Sequence, residues 1–524
     1  MKKEDIVNNV RALLNNTTTI NGHFNSNIID LGNRKYGVDI FVVSLRGTEN
    51  KKYLYLNGIY KTGVKNLLET LGVFYKKVHS TYILIYKEEN VISEIPIKVV
   101  KDIVNEYLNQ LVPLILDIND VFGRFTVEAQ IEIFYRQMNM VLNESFLEFL
   151  ELESSPIVSD ESDRSYLCFN NGVLDISAEE VVLRQYAELS DLVVWKKQIT
   201  DFNISSKPRK KSHFEKFIRN VCAKDPVRIK ALRSAIGYLL HAYHRKSGGQ
   251  MVILYDEQIT DLDNPQGGTG KGVVASAIMV IRNTAKIDGK KMDGKGRFDL
   301  QDVRLDTEIV WIDDVGKQLN IDRFNSISTD GFNIEQKFKD SIHIPAEESP
   351  KVIICSNIIM DCTGTTRKRR QFIIELSSYY SSRIKSGVEE PIIEEHGCRF
   401  FSNEWDEQEW NRFYWYMIGC LHDYLKEGLV PVSTINVTDN RSRQLIGEDL
   451  HNWLQKKTFK TKVDYRTQDL FQEFKDLYEP GNERFNQRTF SNKLKQYFAL
   501  KNQQIKFDSM AEGGKKISVF RISN

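Results

Sequence analysis

The sequence predicts an α/β, multidomain protein organised around a phosphate-binding loop, and three observations carry that expectation. The apolar run Met251 to Tyr255 leads to Gln266-Gly267-Gly268-Thr269-Gly270-Lys271-Gly272, and from Val273 onward small and apolar residues recur at helical spacing. A second apolar run, Glu308 to Ile312, ends in Asp313-Asp314. A third, Lys351 to Ser356, ends in Asn357.

Strand, glycine loop and helix form the context in which backbone N–H groups curl around a phosphate. The helix N-terminus adds positive potential, and a lysine reaches the β and γ oxygens. Gly267, Gly268, Thr269, Gly270, Lys271, Gly272 and Val273 are therefore candidate nucleotide-binding residues. Two positions depart from the general pattern. Pro265 stands where its first glycine belongs, and Gly272 replaces the Ser or Thr whose hydroxyl holds Mg²⁺. Asp313 and Asp314 would then carry more of the metal holding, and one of them can orient the attacking water. Asn357 can hydrogen-bond the γ-phosphate or that water. A plain glycine turn and a plain acidic turn are the bland readings, and their occurrence together favours the functional one.

A chain of 524 residues is too long for one compact core and suggests three or four domains. Hydrophobic content of 41% with 27% charged residues suits a soluble globular protein. With 72 basic and 71 acidic residues, no global field advertises a nucleic-acid partner, so any such surface must be local. Six scattered cysteines without a Cys-x-x-Cys pair indicate neither a disulfide framework nor a zinc site. No apolar leader or bilayer-length apolar run is present, so the expectation is a reducing, cytoplasmic setting with no membrane partner.

Residues 1–110 read as a small α+β domain. Val38 to Leu45, Lys52 to Leu56 and Thr81 to Tyr86 are strand-like, Asn57-Gly58 signals a turn, and a helix runs from Ile97 to Leu111. A primase centre would need paired carboxylates on adjacent strands. Asp39 stands alone and Asp117 and Asp120 have no second pair, so they read as solvated loops.

Residues 111–246 read as a mostly helical collar, with one amphipathic helix from Val127 to Leu150. A short strand is expected at Tyr166 to Leu174 with a turn at Asn170-Asn171-Gly172. Lys207 to Lys211 reads as a basic linker. One helix carries Phe214, Phe217, Ile218 and Val221, and another runs from Ala231 to Leu240.

Residues 247–435 hold the chemistry. Besides the three motifs, Asn333 to Lys339 alternates cations with apolar residues, which places Lys337 and Lys339 on one face of an extended segment. Arg367-Lys368-Arg369-Arg370 runs directly into the apolar strand Gln371 to Leu376. Residues 436–524 are a separate charged domain. Helical patterns at Tyr465 to Tyr478 and Gln487 to Phe498 precede two strands, Ile505 to Phe507 and Ile517 to Arg521, which pair across Glu512 to Lys516. That order suggests a winged helix, with Arg488, Lys493, Lys515 and Lys516 as candidate DNA contacts.

Together these motifs resemble the superfamily 3 helicases of viruses, phages and mobile elements. Glu335 to Ser341 with Pro350 to Asn357 looks like the hairpin and sensor region of parvovirus Rep proteins. Phe169 to Asp175 and Ser234 to Leu240 look like the phage and poxvirus primase-helicase branch. The resemblance covers about 165–524 and leaves out 1–110. It implies an AAA+-like motor with a helical collar and a C-terminal winged helix. The implied function is an ATP- and Mg²⁺-dependent replicative DNA helicase, acting on single-stranded and forked DNA as a homo-hexameric ring in a bacterial host cytoplasm. A separate primase or initiator would be a partner. Lys271, Asp313, Asp314 and Asn357 match nucleotide-side positions, and Arg370, with Arg369 as second choice, matches an arginine finger. Lys337 and Lys339 match the DNA-gripping hairpin. The rivals are an ATPase that loads or remodels protein rings, a non-enzymatic origin binder, and a bifunctional primase-helicase.

Overall fold

The computed structural model describes residues 3–16, 28–78, 81–189, 191–244, 249–259, 267–292, 300–304, 306–316, 324, 331–334, 342–360, 369–479, 481–482, 484–512 and 515–523. Contacts divide the chain into two units. The first comprises Met1–Val158, Cys168–Leu174 and Leu183–Asn203, and the second Ser159–Leu167, Asp175–Val182 and Ile204–Asn524.

The first unit contains a four-stranded antiparallel sheet in chain order, Ile29–Asp30, Lys35–Val38, Phe41–Thr48 and Lys51–Ile59. A second sheet is built on the meander Val73–Val78, Thr81–Glu88 and Val91–Glu94. Helices Lys61–Thr70 and Ile97–Leu108 bury Val64, Leu68, Val100 and Ile103 in one core with Val38 and Phe41. Asn57-Gly58 is not a turn. The chain reverses at Glu49-Asn50, and Asn57 is the extra residue of a bulge, because Val43 faces Leu56 while Val42 faces Gly58.

The expectation of a mostly helical stretch from 111 is corrected. Leu114–Ile118 and Val121–Phe125 form a hairpin whose two-residue turn, Asn119-Asp120, has φ of 53° and 62°. That conformation marks the acidic stretch as turn chemistry. The helix expected over 127–150 is Val127–Gln137, a 3₁₀ turn at Met138–Met140, and a separate Glu144–Leu147. Asn143 divides it: its amide donates to Asn139 O at 2.6 Å, and its oxygen accepts Phe146 N–H at 3.0 Å, starting a new helix. Further strands follow at Arg164–Phe169, Gly172–Ser177 and Val181–Arg184, so helix returns only at His213–Val221 and Pro226–Leu240.

The second unit is organised on a five-stranded sheet in the order Thr284–Asp288, Ile309–Asp313, Lys351–Ser356, Met251–Asp256, Gln371–Leu376. Every pairing in it is parallel. Three of these strands read as unbroken apolar runs because they are buried on both faces. Helix Pro226–Leu240 crosses helix Glu407–Glu427 at Gly237, where a Cβ would lie 2.1 Å from Cys420 O. Only glycine allows that approach.

The last part of this unit runs helix Val437–Ile446, helix Glu448–Gln455, strand Asp464–Arg466, helices Thr467–Tyr478 and Gln487–Leu500, then strands Gln504–Glu512 and Lys515–Ser523. The two long strands pair antiparallel, and Asp464–Arg466 pairs with the last of them. Trp453, Phe474, Phe490, Leu494, Phe498 and Phe520 form its core.

At the amino end of the parallel sheet a buried polar cluster ties the unit together. Lys351 Nζ donates to Tyr238 O at 2.7 Å and to His241 O. Arg282 donates to Leu240 O at 2.6 Å, Glu308 at 2.9 Å and Asp160 at 2.9 Å. Burial, reinforced by the charge of Lys351, lowers His241 and His244 to about 4, and burial with Lys216 lowers His396 to about 4. Each folded-state value lies below the ordinary 6.5, so the folded protein holds these groups neutral where the unfolded chain takes up protons. Their contribution to stability is full above pH 6.5 and is lost as pH falls toward 4. Thermal melts should show Tm falling through that window, and His244→Gln should make the fall shallower.

Candidate nucleotide site

The strand Met251–Asp256 extends one residue past its apolar run and ends in a buried carboxylate, Asp256. The glycine loop follows, with Gly268 at φ 106° and Gly270 at φ 103°. A Cβ on Gly268 would also meet Ile384 Cδ1 at 2.7 Å, and one on Gly270 would meet Phe217 Cζ at 2.6 Å. Both positions therefore favour glycine by their backbone conformation, and Gly270 also because Phe217 is fully buried there. Gly270 caps helix Lys271–Met279, whose first-turn N–H groups face the loop end. Pro265 and Gln266 lie outside the described residues.

Lys271 is buried rather than exposed at a loop tip. It is 7% exposed, and its Nζ donates to Asp256 Oδ1 and, at 2.6 Å, to Asn357 Oδ1. Thr269 Oγ1 donates to the same Asp256 oxygen. Asn357 Nδ2 in turn donates to Asp314 Oδ1 at 3.4 Å. One chain of polar contacts thus runs from the glycine loop through the lysine and the amide to the acidic strand end.

Asp313 pairs with Lys286 at 2.9 Å, and Lys286 also lies 3.9 Å over the Trp311 ring. Asp314 pairs with Lys290, whose pKa is raised by that hydrogen bond. The loop, Asp313, Asp314 and Asn357 line one cavity of about 700 Å³. That volume suits a nucleotide-sized ligand. Its other wall is Ile384, Pro391, Ile392 and Ile393 with Phe400 and Phe401, and Arg399 and Glu390 stand at its rim. Burial pushes the thiol of Cys355, which also lines the cavity from strand Lys351–Ser356, up to about 12, so it stays protonated and unreactive.

The donor set fits Mg²⁺. Among the described residues no group of three or more His, Cys, Asp or Glu could hold a metal ion, so there is no all-protein cage. Mg²⁺ is ordinarily bound through one or two carboxylates plus substrate phosphates, and Asp313 and Asp314 supply two. A Cβ on Gly272 meets nothing nearer than Trp311 at 4.0 Å. Gly272→Ser should therefore fold and gain up to about 0.5 kcal/mol of helix stability, seen as a small rise in Tm.

The remaining candidates from the sequence lie elsewhere. Arg370 is half-buried and Arg369 exposed, and the backbone oxygen of Arg370 accepts Met251 N–H at 2.8 Å. Strand Gln371–Leu376 is parallel to Met251–Asp256, with Gln371 opposite Met251 and Leu376 opposite Asp256. Both arginines thus stand at the amino edge, roughly 17–20 Å along the strand from the cavity edge. Lys337 and Lys339 lie outside the described residues, between strands Phe332–Ile334 and Ile342–Ile344, which pair antiparallel. Arg488 and Lys516 are exposed, and Lys515 opens the last strand.

Lys493 does not lie on an outward polar face. Its Nζ donates to Ile446 O at 2.6 Å, closing the carbonyl end of helix Val437–Ile446, and burial lowers its pKa. Sequence reasoning missed Asp256, although an acid directly after an apolar strand was the available signal. It also missed the wall at 384–401, which no local pattern connects to the loop.

Residues 263–370 match a family of unknown function (DUF5906). That stretch takes in the glycine loop, the acidic strand end, Asn357 and Arg370. No curated protein matches the chain. One solved structure of the NrS-1 C-terminal region is 13% identical over 88% of this chain and 99% of that one, with a TM-score of 0.39. A second is 11% identical over 88% and 98%, at 0.38. A JCV helicase structure is 11% identical over 45% of this chain and 65% of that one, at 0.27. The cavity, not these likenesses, carries the functional reading.

Proposed function

We propose that this chain is an ATP-driven motor on DNA, a replicative helicase of the superfamily 3 kind from a virus, phage or mobile element. The observation that carries the reading is that Lys271, held by Asp256, lines one cavity with Asn357 and Asp313-Asp314 at the carboxyl ends of parallel strands. Ligands of open α/β sheets bind at that edge. Gly267 to Val273 would cradle the phosphates, with Lys271 on the β and γ oxygens. Asp313 and Asp314 would hold Mg²⁺, which when bound neutralises charge on the phosphate oxygens. Asn357 would orient the attacking water, and Pro391, Phe400 and Phe401 would take the base.

Arg370, or Arg369 in its place, would reach the site of a neighbouring copy in a homo-hexameric ring. Lys337 and Lys339 would grip single-stranded DNA between the paired strands that flank them. The AAA+-like motor would span 247–435, preceded by a collar reduced to helices 213–221 and 226–240. The C-terminal part would act as a winged helix, and Arg488, Lys515 and Lys516 would meet phosphate there. The first 110 residues would be an accessory domain. The setting would be the cytoplasm of a bacterial host, with forked DNA and a separate primase or initiator as partners.

The test is ATP hydrolysis with and without single-stranded DNA, followed by unwinding of a forked substrate. Turnover stimulated by the strand and accompanied by unwinding is the expected result. Turnover indifferent to DNA, with no unwinding, would instead indicate an ATPase that loads or remodels replication proteins.

A further inference from the structure

The open face of the four-stranded sheet in the first unit has a composition that nothing in the motor reading uses. Directly opposed residues of antiparallel strands share a face. Lys35 is opposite Ser44, Ser44 opposite Tyr55, Arg46 opposite Tyr53, and Thr48 opposite Lys51. The other face carries Val43, Leu45, Leu54 and Leu56, all buried in the core. On the open face Lys35, Arg46 and Lys51 are exposed, and Tyr53 and Tyr55 are 51% and 42% exposed.

The strand positions of this face among the described residues hold no Asp or Glu, and Glu49 stands in the turn beyond it. Arg46 lies 4.0 Å over the Tyr55 ring and donates to Asn57 Oδ1 at 3.3 Å, so its cation is held beside that ring. Ser44 Oγ, on a residue only 6% exposed, sits opposite Tyr55 with no hydrogen-bond partner. Two aromatic rings about 7 Å apart along one strand and three cations therefore share one surface.

We propose that this face is a binding platform for single-stranded DNA. Bases stack on Tyr53 and Tyr55, while Lys35, Arg46 and Lys51 meet the phosphates. The occupant is a single strand because a duplex hides its base faces from flat rings. The choice of DNA over RNA rests on the motor reading, whereas the stacking surface does not.

The test uses the full chain without nucleotide. Binding of a labelled oligo(dT) is compared for the parent, Tyr53→Ala/Tyr55→Ala and Tyr53→Phe/Tyr55→Phe, and an iododeoxyuridine oligonucleotide is photo-cross-linked and its attachment site mapped. The alanine pair should weaken binding on the order of tenfold or more, the phenylalanine pair should retain it, and the cross-link should fall on 53–55. Arg46→Ala with Lys51→Ala should make the salt slope shallower by about 1.4, at about 0.7 for each phosphate no longer neutralised. Basal ATPase should be the same in all variants. Cross-links confined to other segments, phenylalanine variants as weak as alanine ones, equal competition by duplex, or preference for oligo(rU) would each overturn the proposal. Tyrosine-dependent binding by a protein that hydrolyses no ATP would leave this face standing and remove the motor.

Discussion

Lys271→Ala is expected to abolish ATP turnover and also to destabilise the fold. The first effect follows from the loop, in which Lys271 is the one cation among residues 267–273. The second follows from burial. Asp256 is 3% exposed and accepts hydrogen bonds from Lys271 and Thr269, so removing the lysine leaves a buried carboxylate whose one side-chain donor among the described residues is a hydroxyl. Breaking a buried pair from one side costs about 3–5 kcal/mol. The double variant Lys271→Ala/Asp256→Asn removes the stranded charge, so its Tm should recover while its turnover should not. Denaturation and hydrolysis measured on parent, single and double variants separate the two effects. A single variant that melts with the parent would mean that Asp256 and Lys271 are not an energetically coupled pair. A folded single variant that still hydrolyses ATP would remove Lys271 from the chemistry.

The legible parts of this molecule are those in which one physical cause acts over a few consecutive residues. Strands Met251–Asp256, Ile309–Asp313 and Lys351–Ser356 are buried on both faces, so each is an unbroken apolar run. Gly268 and Gly270 were legible because backbone at φ of 106° and 103° strongly favours glycine. What was not legible depends on contacts between distant segments. The burial of Lys271 is set by Asp256 and Asn357, and Asn357 is 86 residues away. The cavity wall at Phe400 and Phe401 is tied to the loop by distant segments, Phe400 packing on Phe217, which lies against Gly270. Lys493 had the spacing of an outward cation, yet a carbonyl 47 residues earlier turns it inward. The helix over 127–150 failed for a local reason: its apolar stripe is continuous, but Asn143 offers the backbone a better partner than the next turn does.

Arg370→Ala should leave nucleotide binding nearly intact and reduce turnover on the order of a thousandfold, as removal of an arginine finger does. The reasoning is geometric. Asp256, Asp313 and Asn357 stand at the carboxyl ends of their strands, whereas Arg370 precedes the amino end of a strand parallel to them. An arginine side chain does not span that length, so Arg370 cannot serve the cavity of its own chain. If it acts in hydrolysis, it acts on the site of another copy, where its charge would stabilise the transferring phosphoryl group. Mixing Arg370→Ala with Lys271→Ala/Asp256→Asn gives the decisive reading. Each variant alone is inactive, but a mixed assembly contains junctions at which an intact loop faces an intact arginine, so activity should reappear at intermediate ratios and vanish at either extreme. Fluorescent nucleotide binding to Arg370→Ala should match the parent within about twofold, which separates loss of catalysis from loss of the site. A mixture no more active than its components would place Arg370 outside the chemistry. Repeating the mixture with Arg369→Ala then decides which of the two arginines reaches across.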